Sequence, residues 1–528
     1  MHRFFMTLAF VLAAACPVTA QDYDVSDLQT RAELSDFEET TRYEEVMSFL
    51  RATVLASDRL HLTEFGYTTE GRALPLLVYG DVWDASAAEI ALTGKTSVFI
   101  QANIHAGEVC GKEALLMLIR ELASGAYADW ADSLVLLMAP IYNADGNERI
   151  SLYNRPRQHG PVGGMGQRPN AQGFDLNRDH MKLDSPEARS LVWLMNEYDP
   201  HVLIDLHTTN GTVHGYHLTY SPPLNPNTAG PIFELLRERW LPEVRGAVRE
   251  AYGWEFYYYG NVPREGSNRA PGWYTFDHRP RFNNNYVGLR NRIAILSEAY
   301  SYATFEERIL ATLAFVRENI HYAHRNASLI RETLESVDLE PVVGQDMAVR
   351  SDFARSADPV EILLGEVEET RNPYTGEVMY LRKEARNPTS MYEYGQFAAV
   401  ETERAPRTYF VPPSMTIVIE RLRAHGIWFE ELSGPRELAL ERFRIASSQA
   451  AERPFQGRHE RTLTGAYEPV VRTLEAGTLV VPVDQQLGRL VFYLLEPRSD
   501  DGLVAWALMD DVLSGAEYYP ILREPADR

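Results

Sequence analysis

Thr96-Ser97-Val98-Phe99-Ile100-Gln101 is a short, apolar, β-branched run, and Ala102-Asn103-Ile104-His105-Ala106-Gly107-Glu108 follows it without a break. A run of that kind suits a strand buried on both faces of a parallel sheet. Leu115, Leu116, Leu118, Ile119 and Leu122 then recur at the spacing of one helix face, so the stretch predicts strand, turn and helix. The alternation continues downstream. Ser133 to Pro140 predicts a second strand, while Asp184-Ser185-Pro186-Glu187 opens a helix with a capping residue and a first-turn proline. Asp199-Pro200 stops that helix, and His201 to Leu206 and Ile293 to Ser297 predict a third and a fourth strand. Strands alternating with helices imply an α/β fold, a mostly parallel mixed sheet flanked by helices, with ligands expected at the carboxyl ends of the strands.

Working outward, Tyr43 to Leu55 has helical spacing, Leu60 to Tyr79 reads as a hairpin around Thr69-Glu70-Gly71-Arg72, and a long helical stretch runs from Thr304 to Leu334. This unit is expected over residues 21–338. Residues 339–358 have weak periodicity and read as a linker. Residues 359–528 have a different texture and predict a second, smaller α+β domain. Its elements are a hairpin around Asn372-Pro373-Tyr374-Thr375-Gly376, strands at Tyr409 to Pro412 and Thr478 to Pro482, and a helix from Met415 to Ala424. Trp428, Tyr493 and Trp506 sit in apolar runs and read as core, whereas Arg458-His459-Glu460 and Asp500-Asp501-Gly502 read as surface loops.

The chain has 528 residues and a net charge of −23, which repels phosphate backbones and argues against a nucleic-acid partner. Arg3, the apolar run Phe4 to Ala15 and the small residues ending at Ala20 have the pattern of a secretory signal peptide over residues 1–20, so the protein is expected in the periplasm or outside the cell. Ala14-Ala15-Cys16 also fits a lipoprotein cleavage site with Cys16 as the anchor. No later apolar run is long enough to span a bilayer. Cys110 reads as a small buried residue on a helix face.

Two imidazoles and one carboxylate are the donor set of a catalytic zinc. His105-x-x-Glu108 follows the first strand and His207 ends the third, so both fall at strand carboxyl ends. The same neighbourhood holds further chemistry. Asn177-Arg178 supplies an anion receptor, since Arg forks two hydrogen bonds to a carboxylate, and Glu298 ends the fourth strand as a lone carboxylate suited to acid–base work. His214 and His217 stand near enough in sequence to rival His207 as ligands.

His105-Ala-Gly-Glu108, Asn143-Ala-Asp-Gly146, Asp175-Leu-Asn-Arg178, His207 and Glu298, in that order, resemble the zinc carboxypeptidases of the M14 (carboxypeptidase A-like) type. The resemblance covers Tyr43 to Leu334. It implies a metallocarboxypeptidase with one Zn2+ per chain on His105, Glu108 and His207, and Asp175 orienting a ligand histidine. Asn177 and Arg178 would clamp the substrate carboxylate, and Glu298 would be general base and acid. An arginine between Gly146 and Asn177 would face the oxyanion; of Arg155, Arg157 and Arg168, Arg157 is best placed by distance from Gly146. The family's capping tyrosine maps to Tyr274 or Tyr286, and the C-terminal domain reads as an accessory module that packs on the peptidase or narrows its cleft. The substrate is expected to be a peptide or acyl-amino acid with a free carboxylate. An amidohydrolase or cell-wall peptide amidase on the same scaffold is the nearest alternative, and a non-catalytic secreted binding protein is an alternative of another class.

Overall fold

The computed structural model describes residues 24–526. The expected signal peptide and the Cys16 anchor site lie outside them. An eight-stranded sheet contains β1 (Leu60–Tyr67), β2 (Ala73–Tyr79), β3 (Thr96–Ala102), β4 (Leu134–Ala139), β5 (Val202–Thr208), β6 (Leu218–Ser221), β7 (Phe256–Tyr258) and, after the short outlying β8 (Trp273–Tyr274), β9 (Ile293–Ala299). Its order is β1-β2-β4-β3-β5-β9-β6-β7. The four central strands run parallel, and β2 and β6 join them antiparallel on either side.

Burial on both faces explains the continuous apolar runs. Val98, Ile100, Leu134, Leu136, Met138, Val202 and Ile204 point into one apolar layer with the helices Cys110–Ala123, Phe305–Arg325 and Ala327–Asp338. Phe99, Val135, Leu137 and Leu203 point into the other. Gly111 lets the first of those helices press onto β5, because a Cβ there would stand 2.6 Å from Leu206 Cβ. The stretch expected as one helix from Thr304 to Leu334 is two helices. Thr304 and Glu307 form a capping box at its start, and Asn326 leaves helical geometry at the junction.

The later part of the chain is richer in strands. Thr408–Val411 and Leu479–Pro482 pair in a six-stranded sheet, and the helix Thr416–Ala424 and the hairpin Val367–Arg371/Val378–Arg382 are as read from the sequence. The stretch 339–358 holds a strand, Asp346–Ala354, paired with Gln396–Arg404. The same six-stranded sheet contains a long hairpin, Arg436–Ala450 with Arg461–Leu474. Tyr493 and Trp506 are core residues, but Trp428 is 54% exposed, contrary to its expected burial. The helix Gly488–Leu495 is buried throughout and packs near Asn283–Leu289 of the first unit. A single apolar layer therefore contains Leu191, Met195 and Val287 together with Val418, Leu490 and Trp506. Among the described residues no helix is long and apolar enough to cross a membrane.

Leu490→Ala should cost about 2–5 kcal/mol in urea unfolding, the usual range for a fully buried leucine. Because the layer is shared, far-UV and near-UV circular dichroism should follow one transition; two separated transitions would contradict it.

Candidate active site

The turn after β3 sets the first two functional side chains. Asn103 adopts φ 67°, a left-handed conformation that asparagine tolerates better than most side chains, and this turns the chain out of the sheet. The Asn143-Ala-Asp-Gly segment steadies the loop: Asn143 N donates to Asn103 O (3.1 Å) and its Nδ2 to Ile104 O (3.3 Å). Gly107 is required by close approach, since a Cβ there would lie 2.7 Å from Gly166 O and 2.9 Å from Arg155 Nε. Strand register sets the other two groups, because β5 and β9 run parallel with His207 directly beside Glu298.

His105, Glu108 and His207 converge, all buried, with ligand atoms within 4.8 Å of one another. Nδ1 of His207 lies 3.2 Å from Nδ1 of His105 and 2.9 Å from Glu108 Oε2, and His105 Nδ1 lies 3.0 Å from Glu108 Oε1. Nitrogen ligands about 2.1 Å from a tetrahedral zinc stand about 3.4 Å apart, so the donor set fits that ion in chemistry and spacing. Each outer ring nitrogen meets a carboxylate. His105 Nε2 lies 3.0 Å from Asp175 Oδ1 and His207 Nε2 lies 2.9 Å from Asp205 Oδ2. Donation from Nε2 leaves each Nδ1 lone pair facing inward, where a metal is held.

Charge is concentrated here. Burial opposes ionisation of Glu108, yet Arg155 and the two histidines hold its carboxyl well below the ordinary range. Asp175 is likewise held low against burial by His105, Arg178 and Arg168. Glu298 behaves oppositely: burial, with Glu108 nearby, pushes it up to about 8, and its Oε2 is a buried oxygen without a hydrogen-bond partner among the described residues.

A cleft of about 340 Å³ brings these groups together with Asn177, Arg178 and Tyr259. Arg178 stacks over Phe282 at 3.7 Å and stands 4.0 Å from Asp175, its nearest carboxylate among the described residues. Asn177 Oδ1 accepts from Asn283 N (2.8 Å), tying the expected clamp to the chain before β9.

Several expected placements are corrected. Arg157 does not line this cleft; Arg155 does, paired with Glu108, and Arg168 lies 2.9 Å from Asp175. Tyr286 is buried against His425 (2.8 Å) and Tyr274 stacks on Tyr394, so neither reaches the cleft that Tyr259 lines. His214 and His217 are buried elsewhere, the first beside Tyr300 and the second accepting from Glu255 N (3.1 Å). Cys110 is buried, as expected. The polar loops of the later region are not surface punctuation. Arg458 forks onto Asp184 (2.8 and 2.7 Å), Asp501 is buried against Arg281 (2.7 Å), and Gln456 Oε1 accepts from Asp175 N (2.8 Å). Asp205 was legible as Asp-x-His in a buried strand, where alternate residues share a face; Gln456 carried no signal.

Residues 46–276 match the family model described as "Zinc carboxypeptidase". A "Carboxypeptidase 2" of Trichophyton tonsurans is 25% identical over 505 residues, covering 92% of this chain and 86% of its own length. A "Carboxypeptidase 2" of Trichophyton rubrum is 24% identical over 506 residues, with the same two shares of 92% and 86%. Among solved structures, a carboxypeptidase A from Helicoverpa armigera aligns at 16% identity and a TM-score of 0.41, covering 55% of this chain and 75% of that one.

Asp205→Asn should weaken zinc binding about 10–100-fold in chelator competition, the range found when a carboxylate supporting a ligand histidine is lost. Undiminished affinity would show that Asp205 does not support the ligand.

Proposed function

We propose that the chain, whose residues 46–276 match the zinc carboxypeptidase model, is a member of that family and an exported exopeptidase that removes C-terminal residues from peptides, with one zinc per chain held by His105, Glu108 and His207. The observation that carries this reading is a single cleft containing the inward-facing donors, the unpartnered Glu298 oxygen and the guanidinium of Arg178. A bound zinc supplies Lewis acidity, lowering the pKa of a water toward about 7 and polarising the scissile carbonyl. Export rests on the leader-like pattern of residues 1–20.

Arg178, backed by Asn177, binds the substrate's terminal carboxylate; stacking on Phe282 fixes the guanidinium plane. Burial holds Arg178 down to about 10, so it stays charged at neutral pH while gaining more from an anion than a solvated arginine does. Glu298, beside His207 across the strand pair, takes the proton of the attacking water and returns it to the departing amine. A carboxyl held high by burial is better matched to that shuttle than an ordinary glutamate. Arg155 offers the positive partner for the developing oxyanion, the role first read onto Arg157. We assign residues 21–338 to the catalytic unit and 359–528 to an accessory one that braces it through Gln456, Arg458 and Asp501.

Glu298→Gln should retain zinc while losing at least about 10² in kcat, the scale of a general base; unchanged turnover would place the base elsewhere. Amidating the C-terminus of a cleaved peptide should abolish cleavage, read by mass spectrometry, because Arg178 then has no carboxylate to bind. Equal cleavage of both forms would overturn exopeptidase action.

A further inference from the structure

We propose that the catalytic cleft continues into an arginine-lined groove that selects peptides with acidic side chains on the amino side of the scissile bond. The inference rests on the exopeptidase reading above and names its substrate class. A cavity of about 1070 Å³ adjoins the cleft, sharing Asn210 and Asn261 with it. A smaller recess of about 240 Å³ links the two, shared through Arg155 with the cleft and through Arg157 and Tyr302 with the cavity.

Direction follows from the fixed end. With the terminal carboxylate at Arg178, the main chain does not extend beyond that point, so an adjoining groove too large for the terminal side chain alone, about 1070 Å³, receives residues on the amino side of the bond being cut. Three of the cavity's lining residues are Arg157, Arg264 and Arg269, against one carboxylate, Glu265. Among the described residues none of the three arginines has a carboxylate within ion-pairing reach. Arg269 is held over Tyr274 and Phe353, at 5.1 and 4.8 Å. A local excess of positive charge in a chain of net charge −23 is against the molecule's own trend.

Two walls are held by contacts between distant segments. Leu364 and Gly365, from the later part of the chain, form one side. Leu363 O accepts from Gly215 N (2.8 Å), and Gly365 packs so closely that a Cβ would stand 2.3 Å from His214 O. Across the groove, Arg157 O accepts from Tyr380 N (3.0 Å), and Tyr302 packs on Tyr380. Peptide carboxylates entering this groove meet unpaired guanidinium groups, for which arginine's forked donors are suited.

The test uses the zinc-loaded full chain and N-blocked peptides that share their last two residues, preceded by Glu-Glu, Gln-Gln or Lys-Lys, beside the blocked dipeptide alone. The expected kcat/KM order is Glu-Glu above Gln-Gln above Lys-Lys, with about tenfold between the first two at low ionic strength and a smaller gap in about 0.5 M salt, where screening is strong. The double variant Arg264→Gln/Arg269→Gln should bring the Glu-Glu peptide to the Gln-Gln level and leave the blocked dipeptide unchanged. Equal rates across the three longer peptides, or a gap that survives in the double variant, would overturn the groove while leaving the exopeptidase intact. No cleavage of any substrate, the dipeptide included, would instead overturn the exopeptidase reading on which the groove depends.

Discussion

Two imidazole nitrogens held 3.2 Å apart, with a carboxylate against both, are the contact on which the rest of the structure depends. Left alone, such a cluster is unfavourable, since inward lone pairs and a buried anion repel one another in a medium of low dielectric. Asp175 and Asp205 offset this by drawing each ring's N–H outward, and Arg155 neutralises part of the charge on Glu108. The strand register fixes His207, the left-handed Asn103 turn aims His105 and Glu108, and the Asn143 segment holds that turn in place. Each of these features is intelligible as a device for keeping donors together that would otherwise separate.

The central strands and both ligand segments were legible in the sequence for one reason: a strand buried on two faces leaves an unbroken apolar run, and the functional residues begin where the run ends. Legibility failed where structure is decided by partners instead of periodicity. Arg436–Ala450 and Arg461–Leu474 are largely exposed, and only points such as Leu440, Phe443 and Leu463 are buried, so their pairing leaves little apolar pattern. The choice between Arg155 and Arg157 turns on an irregular loop in which Arg155 itself has φ 48°. Counting positions from Gly146 could not tell which guanidinium faces Glu108.

The later region is the least legible in the sequence, because its polar residues have distant partners. Arg458, Glu460 and Asp501 carry the polarity of exposed loops, yet each meets a residue of the first unit: Asp184 for the first and Arg281 for the other two. His425 does likewise between Tyr286 Oη and Met181 O, and burial holds its imidazole down to about 3, so it sits there neutral. Polar residues can serve as inter-unit fasteners when their partners lie far away in the chain, which composition alone does not reveal.

Gln456 and Asp175 stand 281 positions apart, yet one hydrogen bond joins them directly behind His105. During synthesis the amino-terminal unit leaves the ribosome first and begins to fold while its distant buttress is still unmade. A nascent or prematurely terminated polypeptide thus carries every residue that lines the cleft but lacks the bond that steadies Asp175, a support that arrives only with the last third of translation.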